Sequence, residues 1–241
     1  MLEATGVTKR FGGFTALQGV DFRVAPSERV GLIGPNGSGK STLVNCIAGA
    51  LRHDGGSVRF AGRLIDGTPA HRRARLGLAR SFQLPRPFRS LPVADNVRIP
   101  LMFAAADRGE HHHASAAIAQ RIDEMLDLVG LLALRDRRPQ DLSQVDMRKL
   151  ELARAMAADP KLLIADEAMA GLSHSEVDEI LALLMRLNDR GIAIIMIEHI
   201  LRAVVNFSQR LTVLVAGVKI ADGPPQDVVR NADVERAYLG E

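Results

Sequence analysis

Up to about residue 65 the apolar positions fall in short runs, VDFRV, ERVGLIG and SVRF, punctuated by glycine. That pattern predicts short strands joined by turns. Later the pattern changes to strand then helix. KLLIADE at 161–167 is a continuous apolar run closed by two acids and predicts a buried strand. The next segment places Val177, Ile180, Leu181 and Leu184 at helical spacing before a stop at Gly191, so a helix follows. IAIIMIEH predicts a second buried strand and TVLVAG a third. Such alternation predicts a largely parallel α/β sheet covered by helices on both faces.

Between roughly 85 and 155 the strand pattern disappears. Ile118, Ile122, Met125, Leu126 and Val129 make one apolar helical stripe, and Met147, Leu150, Ala153 and Ala157 make another. This stretch is therefore a helical insertion within the α/β core. LPRPFRSLP, with its repeated prolines, leads into it. The successive histidines 111–113 would point in different directions from a helix, and a solvated loop or helix start accounts for them better than a metal site.

Composition narrows the class. With 47% hydrophobic residues the 241-residue chain can bury a sizeable core. A net charge of only +3, scattered rather than blocked, gives no prediction of nucleic-acid binding. The one cysteine, Cys46, sits in the apolar stretch LVNCIAGA, which excludes an internal disulfide and suits a buried core position in a reducing compartment. MLEATGVTKRF lacks an apolar signal core, and the longest uncharged apolar run, IAIIMI, is too short to span a bilayer. The chain is expected to be cytoplasmic.

The chemistry is concentrated in a few stretches. GPNGSGKST (Gly34, Pro35, Asn36, Gly37, Ser38, Gly39, Lys40, Ser41, Thr42) matches G-x-x-x-x-G-K-[ST], the Walker A pattern, after a predicted strand and at the start of a predicted helix. Glycines there let backbone N–H groups wrap a triphosphate, and the helix N-terminus adds positive potential. Lys40 would reach the β and γ phosphates of ATP, and the Ser41 hydroxyl suits Mg²⁺. KLLIADE adds Asp166 as metal partner and Glu167 as candidate general base at the end of a buried strand. IIMIEHI places His199 just past another such strand, where ligands bind in open α/β sheets.

Together these stretches resemble the nucleotide-binding subunits of ABC transporters, over essentially the whole chain. VTKRFGGFTALQGVDF is similar to the family's opening, where an aromatic, here Phe11, stacks on adenine. LARSFQ resembles the segment whose glutamine, here Gln83, contacts Mg²⁺ and water; MIEH resembles the switch-histidine segment, with His199 as the match. The likeness implies a P-loop ABC-type α/β fold with an antiparallel β subdomain and a helical insertion. It divides the single domain into a core of 1–84 and 156–241 and a helical subdomain of 85–155. It also implies Mg²⁺ held by Ser41, Gln83 and Asp166, and catalysis by Glu167, His199 and Gln83. Motion would pass to membrane subunits through the helical region after Gln83, with PRPFRSLPVADNV, basic and proline-marked, as the candidate docking surface, although a basic loop is by default only solvated. TKRFGG, ARSFQ and AYLGE are similar to the branched-chain amino acid transport ATP-binding proteins in particular. The implied protein is an ATP-hydrolysing importer subunit, peripheral on the inner face of the cell membrane. Its implied partners are a second ATPase, two permease subunits and, indirectly, an extracytoplasmic solute-binding protein.

One stretch departs from that pattern. LSQVD occupies the place of the signature LSGGQ, so Ser143 is followed by Gln144, Val145 and Asp146. In the family two glycines there let backbone amides approach the partner subunit's γ phosphate. A carboxylate near that phosphate is opposed by on the order of a few kcal/mol before screening. SQVD also reads as a helix start, Ser143 as N-cap and Asp146 three residues on. Ala168 and Ser173 depart too, standing where the family has proline and a polar acid or amide, and Ser173 with Glu176 makes a capping box. A heterodimer with a sister ATPase carrying an intact signature is favoured over a homodimer. The alternative is a nucleotide-sensing regulatory subunit that does not hydrolyse ATP; retention of Glu167 and His199 argues against it. A soluble ABC protein of translation or DNA repair would carry two cassettes or a long coiled-coil insertion.

Overall fold

The computed structural model describes residues 1–81, 86–107 and 115–239. In chain order, β1 (Leu2–Phe11), β2 (Phe14–Val24) and β3 (Arg29–Ile33) precede α1 (Lys40–Ala48). Next come β4 (Gly55–Phe60), β5 (Arg63–Leu64), α2 (Ala70–Arg75) and β6 (Leu78–Ser81). Helices α3 (Val93–Asp107), α4 (Ser115–Leu128) and α5 (Gln144–Met156) follow, with short 3-10 turns at Leu132–Leu134 and Pro139–Asp141. The last part holds β7 (Leu162–Asp166), α6 (His174–Asp189), β8 (Ala193–Ile197), α7 (Leu201–Phe207), β9 (Arg210–Val215), β10 (Val218–Gly223), α8 (Pro225–Val228) and α9 (Ala232–Leu239).

Two sheets result. One is antiparallel, in the order β2-β1-β4-β5; the other runs β10-β9-β3-β8-β7-β6, parallel except for β10. The parallel strands β7 and β8 are buried at every position, which is why their sequences are uninterrupted apolar runs rather than alternations. α1 packs against both sheets and buries Leu43, Val44, Cys46 and Ile47 among Leu17, Val20, Phe22, Leu32 and Ile164. Cys46 is accordingly a core residue, and burial pushes its thiol up to about 11.

Among the described residues, no strand lies between β6 and β7, as the apolar periodicity predicts. Ile122, Leu126 and Val129 of the first stripe and Leu150, Ala153 and Ala157 of the second are buried, with Ile118 and Met125 packed at the margin of the same cluster. On α6 the buried stripe is Val177, Ile180, Leu183, Leu184 and Leu187, so Leu181 is marginal. β6 has no periodic signal in LARS; it is a strand because Leu78 to Ser81 pair in parallel with Leu162 to Ala165. No described helix is long and apolar enough to cross a membrane.

The strand ends matter for function. The carboxyl ends of β3, β7 and β8 carry, respectively, the glycine loop, Glu167 and the Glu198–His199 pair. In β1–β2, Phe11 pairs with Phe14 across a two-residue turn whose Gly12 has φ 57°.

Candidate functional site

The loop from Gly34 to Gly39 is built around glycine for steric reasons at two positions. A Cβ on Gly34 would lie 2.1 Å from the Leu214 carbonyl oxygen, and one on Gly39 2.8 Å from that of Ala16. Both glycines also have positive φ, 150° and 102°, where side chains are strained. α1 then begins at Lys40 with no side-chain cap, leaving its first N–H groups available to an anion. Lys40 is buried, and its Nζ donates to the carbonyls of Gly34 (2.7 Å) and Pro35 (3.0 Å). Burial holds its pKa below the usual lysine value, with Glu167 and Asp166 partly opposing the shift.

Across from this loop stands Glu167. Its backbone is left-handed, φ 49°, and its N–H donates to Ile197 O at 2.9 Å. A non-glycine residue held this way costs about 1–3 kcal/mol and requires surrounding structure to hold it. His199 Nε2 lies 3.1 Å from Glu167 Oε1. These groups share one cavity of about 290 Å³, lined by Phe11, Phe14, Ala16, the residues from Asn36 to Thr42, Glu167 and His199. Phe11 and Phe14 are exposed, giving the cavity an apolar aromatic wall.

Of the residues singled out in the sequence, Phe11, Asn36, Gly37, Ser38, Gly39, Lys40, Ser41, Thr42, Glu167 and His199 line that cavity. Gly34 and Pro35 act on it through the carbonyls that hold Lys40. Asp166 is buried behind it, and its Oδ2 takes Arg80 Nη2 at 2.6 Å; Arg80 Nη1 donates to Asn45 Oδ1 at 2.7 Å. Gln83 and the histidines 111–113 lie outside the described residues. Three neighbours escape sequence reasoning. Phe14 had a usable signal, the two-residue glycine turn that sets it opposite Phe11, whereas Arg80 and Glu198 had none.

Ser143 to Asp146 do not line the cavity. Ser143 is the N-cap of α5, as its spacing to Asp146 predicts: its Oγ accepts from Asp146 N at 3.2 Å and donates to Asp146 Oδ2 at 2.6 Å. Lys149 Nζ lies 3.4 Å from Asp146 Oδ1 and 2.7 Å from Glu179. Val145, which stands where the family has a signature glycine, is 9% exposed and packs its side chain into the core. Gln144 is exposed, and its amide lies 2.8 Å from where a Cβ on Gly171 would be. Ser173 caps α6 in the expected box with Glu176.

A glycine loop between a central parallel strand and a helix, sharing a cavity with a carboxylate and an imidazole from neighbouring strand ends, defines a P-loop nucleotide-binding protein. Comparison with known proteins makes the class specific. Residues 17–170 match the family model described as ABC transporter, and 218–241 match that of the branched-chain amino acid ATP-binding cassette transporter. The chain is 35% identical to the high-affinity branched-chain amino acid transport ATP-binding protein BraF of Pseudomonas aeruginosa, covering 100% of this chain and 98% of that one. It is equally similar, 35% with the same coverage, to the protein LivG of Escherichia coli, which carries the same description. Its structure is similar to the ADP conformation of MJ1267, an ATP-binding cassette of an ABC transporter, with a TM-score of 0.89, 30% identity and coverage of 100% and 99%. The chain belongs to the ABC transporter family, among its ATP-binding cassettes.

Proposed function

We propose that this chain hydrolyses ATP to drive an importer of branched-chain or related amino acids. The observation that carries the reading is the shared cavity in which Lys40 and the glycine loop meet Glu167, itself 3.1 Å from His199. The solute class is supported by the names of the relatives and by the match over 218–241.

In this mechanism Phe11, with Phe14 beside it, stacks on adenine. The triphosphate lies along Asn36 to Thr42, and Lys40 exchanges the carbonyls of Gly34 and Pro35 for phosphate oxygens. Glu167 accepts a proton from the attacking water, and His199 fixes the carboxylate's orientation through the 3.1 Å contact. Ser41, Gln83 and Asp166 would hold Mg²⁺; the oxygen donors Ser41 and Asp166 fit a hard cation, and the Arg80 contact would have to share Asp166 with it. When bound there, the cation would offset phosphate charge.

The partners in this reading are a second ABC ATPase, two permease subunits on whose cytoplasmic side the chain sits, and an extracytoplasmic solute-binding protein. Exposed Phe88, within PRPFRSLPVADNV, and Phe103 face a groove of about 890 Å³ beside α2 and α3, which supports docking of the permeases there. Exposed Gln144 and the carboxylate of Asp146 favour a heterodimer, in which a sister subunit supplies a glycine-bearing signature to this chain's loop. The test is Mg²⁺-ATP hydrolysis over a range of protein concentration, alone and mixed with the sister ATPase. Turnover should rise well above that of the chain alone on mixing and fall by about 10²–10⁴-fold with Glu167→Gln in this chain. Unchanged turnover in that variant would refute hydrolysis at this site.

A further inference from the structure

Glu198, next to the switch histidine, is 5% exposed. A carboxyl is not buried without partners, and the catalytic chemistry described above does not use this one. Its Oε1 accepts Met169 N–H at 2.8 Å. Met169 belongs to the turn 167–171, the turn that begins with the left-handed Glu167. The other side of that turn is held from the signature helix: Arg148 of α5, 7% exposed, donates from Nη2 to Ala170 O at 3.1 Å. A third contact, Glu167 N–H to Ile197 O, fixes the turn to the end of β8.

The turn is therefore gripped on successive residues by a buried acid and a buried base, neither of which lines the nucleotide cavity. The Glu198 carboxyl is pushed up to about 7, first by burial and then by Glu167, against the Met169 hydrogen bond and His199. Arg148, held below the ordinary arginine value by burial, feels Glu198, Glu151 and Glu167 as opposing charges. Burying both groups is unfavourable unless the contacts they make require it. Side chains of this kind commonly orient groups that react.

We propose that Glu198 is a positioning residue: with Arg148 it clamps the turn 167–171, holding Glu167 in its left-handed backbone. Because one jaw comes from α5, the partner-facing helix and the chain's own general base move as one body. A nucleotide that draws the signature helix of this chain toward a partner subunit also sets Glu167 over this chain's own phosphate loop. The coupling is local and runs through two named hydrogen bonds.

This inference rests on Glu167 being the general base, and the experiment separates the two. Amide hydrogen exchange is measured by NMR on the intact chain with Mg²⁺-ATP for the wild type, Glu198→Ala, Glu198→Gln and Arg148→Met. Glu198→Ala and Arg148→Met should each raise exchange at 168–171 by about tenfold or more, the factor given by losing about 1.4 kcal/mol of local protection. β7 and β8 should stay protected. Glu198→Gln, which keeps an acceptor oxygen, should restore protection of Met169. In the hydrolysing assembly Glu198→Ala should lower kcat by about 100-fold through misplacement of Glu167, at unchanged KM for ATP. Unchanged exchange at 168–171 in Glu198→Ala overturns the clamp, as does a rise spread equally over β7 and β8. Turnover insensitive to Glu167→Gln would instead overturn the general-base reading, and the exchange result would stand independently.

Discussion

In the proposed reading two segments meet ATP, this chain's own loop and, across a dimer, the start of α5, and they are made on opposite terms. The loop from Gly34 to Thr42 keeps its backbone open: positive-φ glycines, an uncapped helix start and a lysine resting on carbonyls it can leave. The segment from Ser143 to Asp146 closes on itself. One of its orphan N–H groups, that of Asp146, is taken by Ser143, its acid is bound by Ser143 and Lys149, and Val145 is turned into the core. An uncapped helix end can receive an anion, whereas a capped one already has part of its need met from within. One segment is organised for a ligand and the other for the fold.

The widest separation between them should appear in turnover. Glu167→Gln removes the proposed proton acceptor and should lower kcat by about 10²–10⁴-fold while ATP binding persists. Lys40→Ala should instead weaken ATP binding, because its buried ammonium lines the cavity. Nucleotide affinity measured in parallel with hydrolysis checks both. If Lys40→Ala bound ATP as the wild type does, the loop would not be the ligand-facing segment.

Glu198 gives a pH signature that belongs to neither segment alone. Its folded pKa of about 7 stands above the ordinary value of 4.5, chiefly through burial. Between those values the native chain keeps a proton that the unfolded chain has released, so this group's contribution to stability falls as pH rises from about 4.5 to about 7. Below that window it exerts no penalty. Glu198→Gln should remove the dependence, gaining on the wild type by on the order of a few kcal/mol across the window and nothing further above it. Urea unfolding midpoints at pH 5 and pH 8 measure this. The groups facing Glu198, namely Glu167, His199 and Arg148, are unchanged in the variant.

Much of this arrangement was legible in the chain, and the exceptions share a cause. β3, β7 and β8 show as unbroken apolar runs because both their faces are buried. The loop at 34–42 shows because its geometry admits few residue types. β6 does not show, since LARS becomes a strand only by pairing with β7. Arg80 and Glu198 were missed because their roles depend on groups that reach them only through the tertiary fold, Asp166 and Asn45 for one and Met169 for the other. Val145 had a signal that matching to the signature glycine obscured: with Leu152 and Met156 it falls at i, i+7 and i+11 on α5, one buried face.

Opening the closed segment should produce a smaller effect than disabling the open one. Gln144→Gly with Asp146→Gln removes an exposed side chain and a negative charge while leaving Val145 in the core. Turnover of the chain alone should rise by about tenfold, the factor for about 1.4 kcal/mol of recovered attraction to a phosphate. A rate unchanged at every protein concentration would mean that neither residue opposes a partner's nucleotide.

The smallest predicted effect makes the sharpest contrast, because it compares two serines at helix starts. Ser143 accepts the Asp146 N–H and is the cap of α5, whereas Ser41 is exposed in the first turn of α1 and caps nothing. Ser143→Ala should therefore cost about 1 kcal/mol of unfolding free energy, with no loss of ATP affinity. Ser41→Ala should change stability by no more than about 0.5 kcal/mol yet weaken Mg²⁺-dependent binding of ATP. Denaturant midpoints and nucleotide titrations with and without Mg²⁺ give both numbers. Should Ser143→Ala leave stability intact and reduce turnover in a partner's site, the segment would be a ligand surface after all. The two helix ends would then differ only in which subunit's nucleotide they meet.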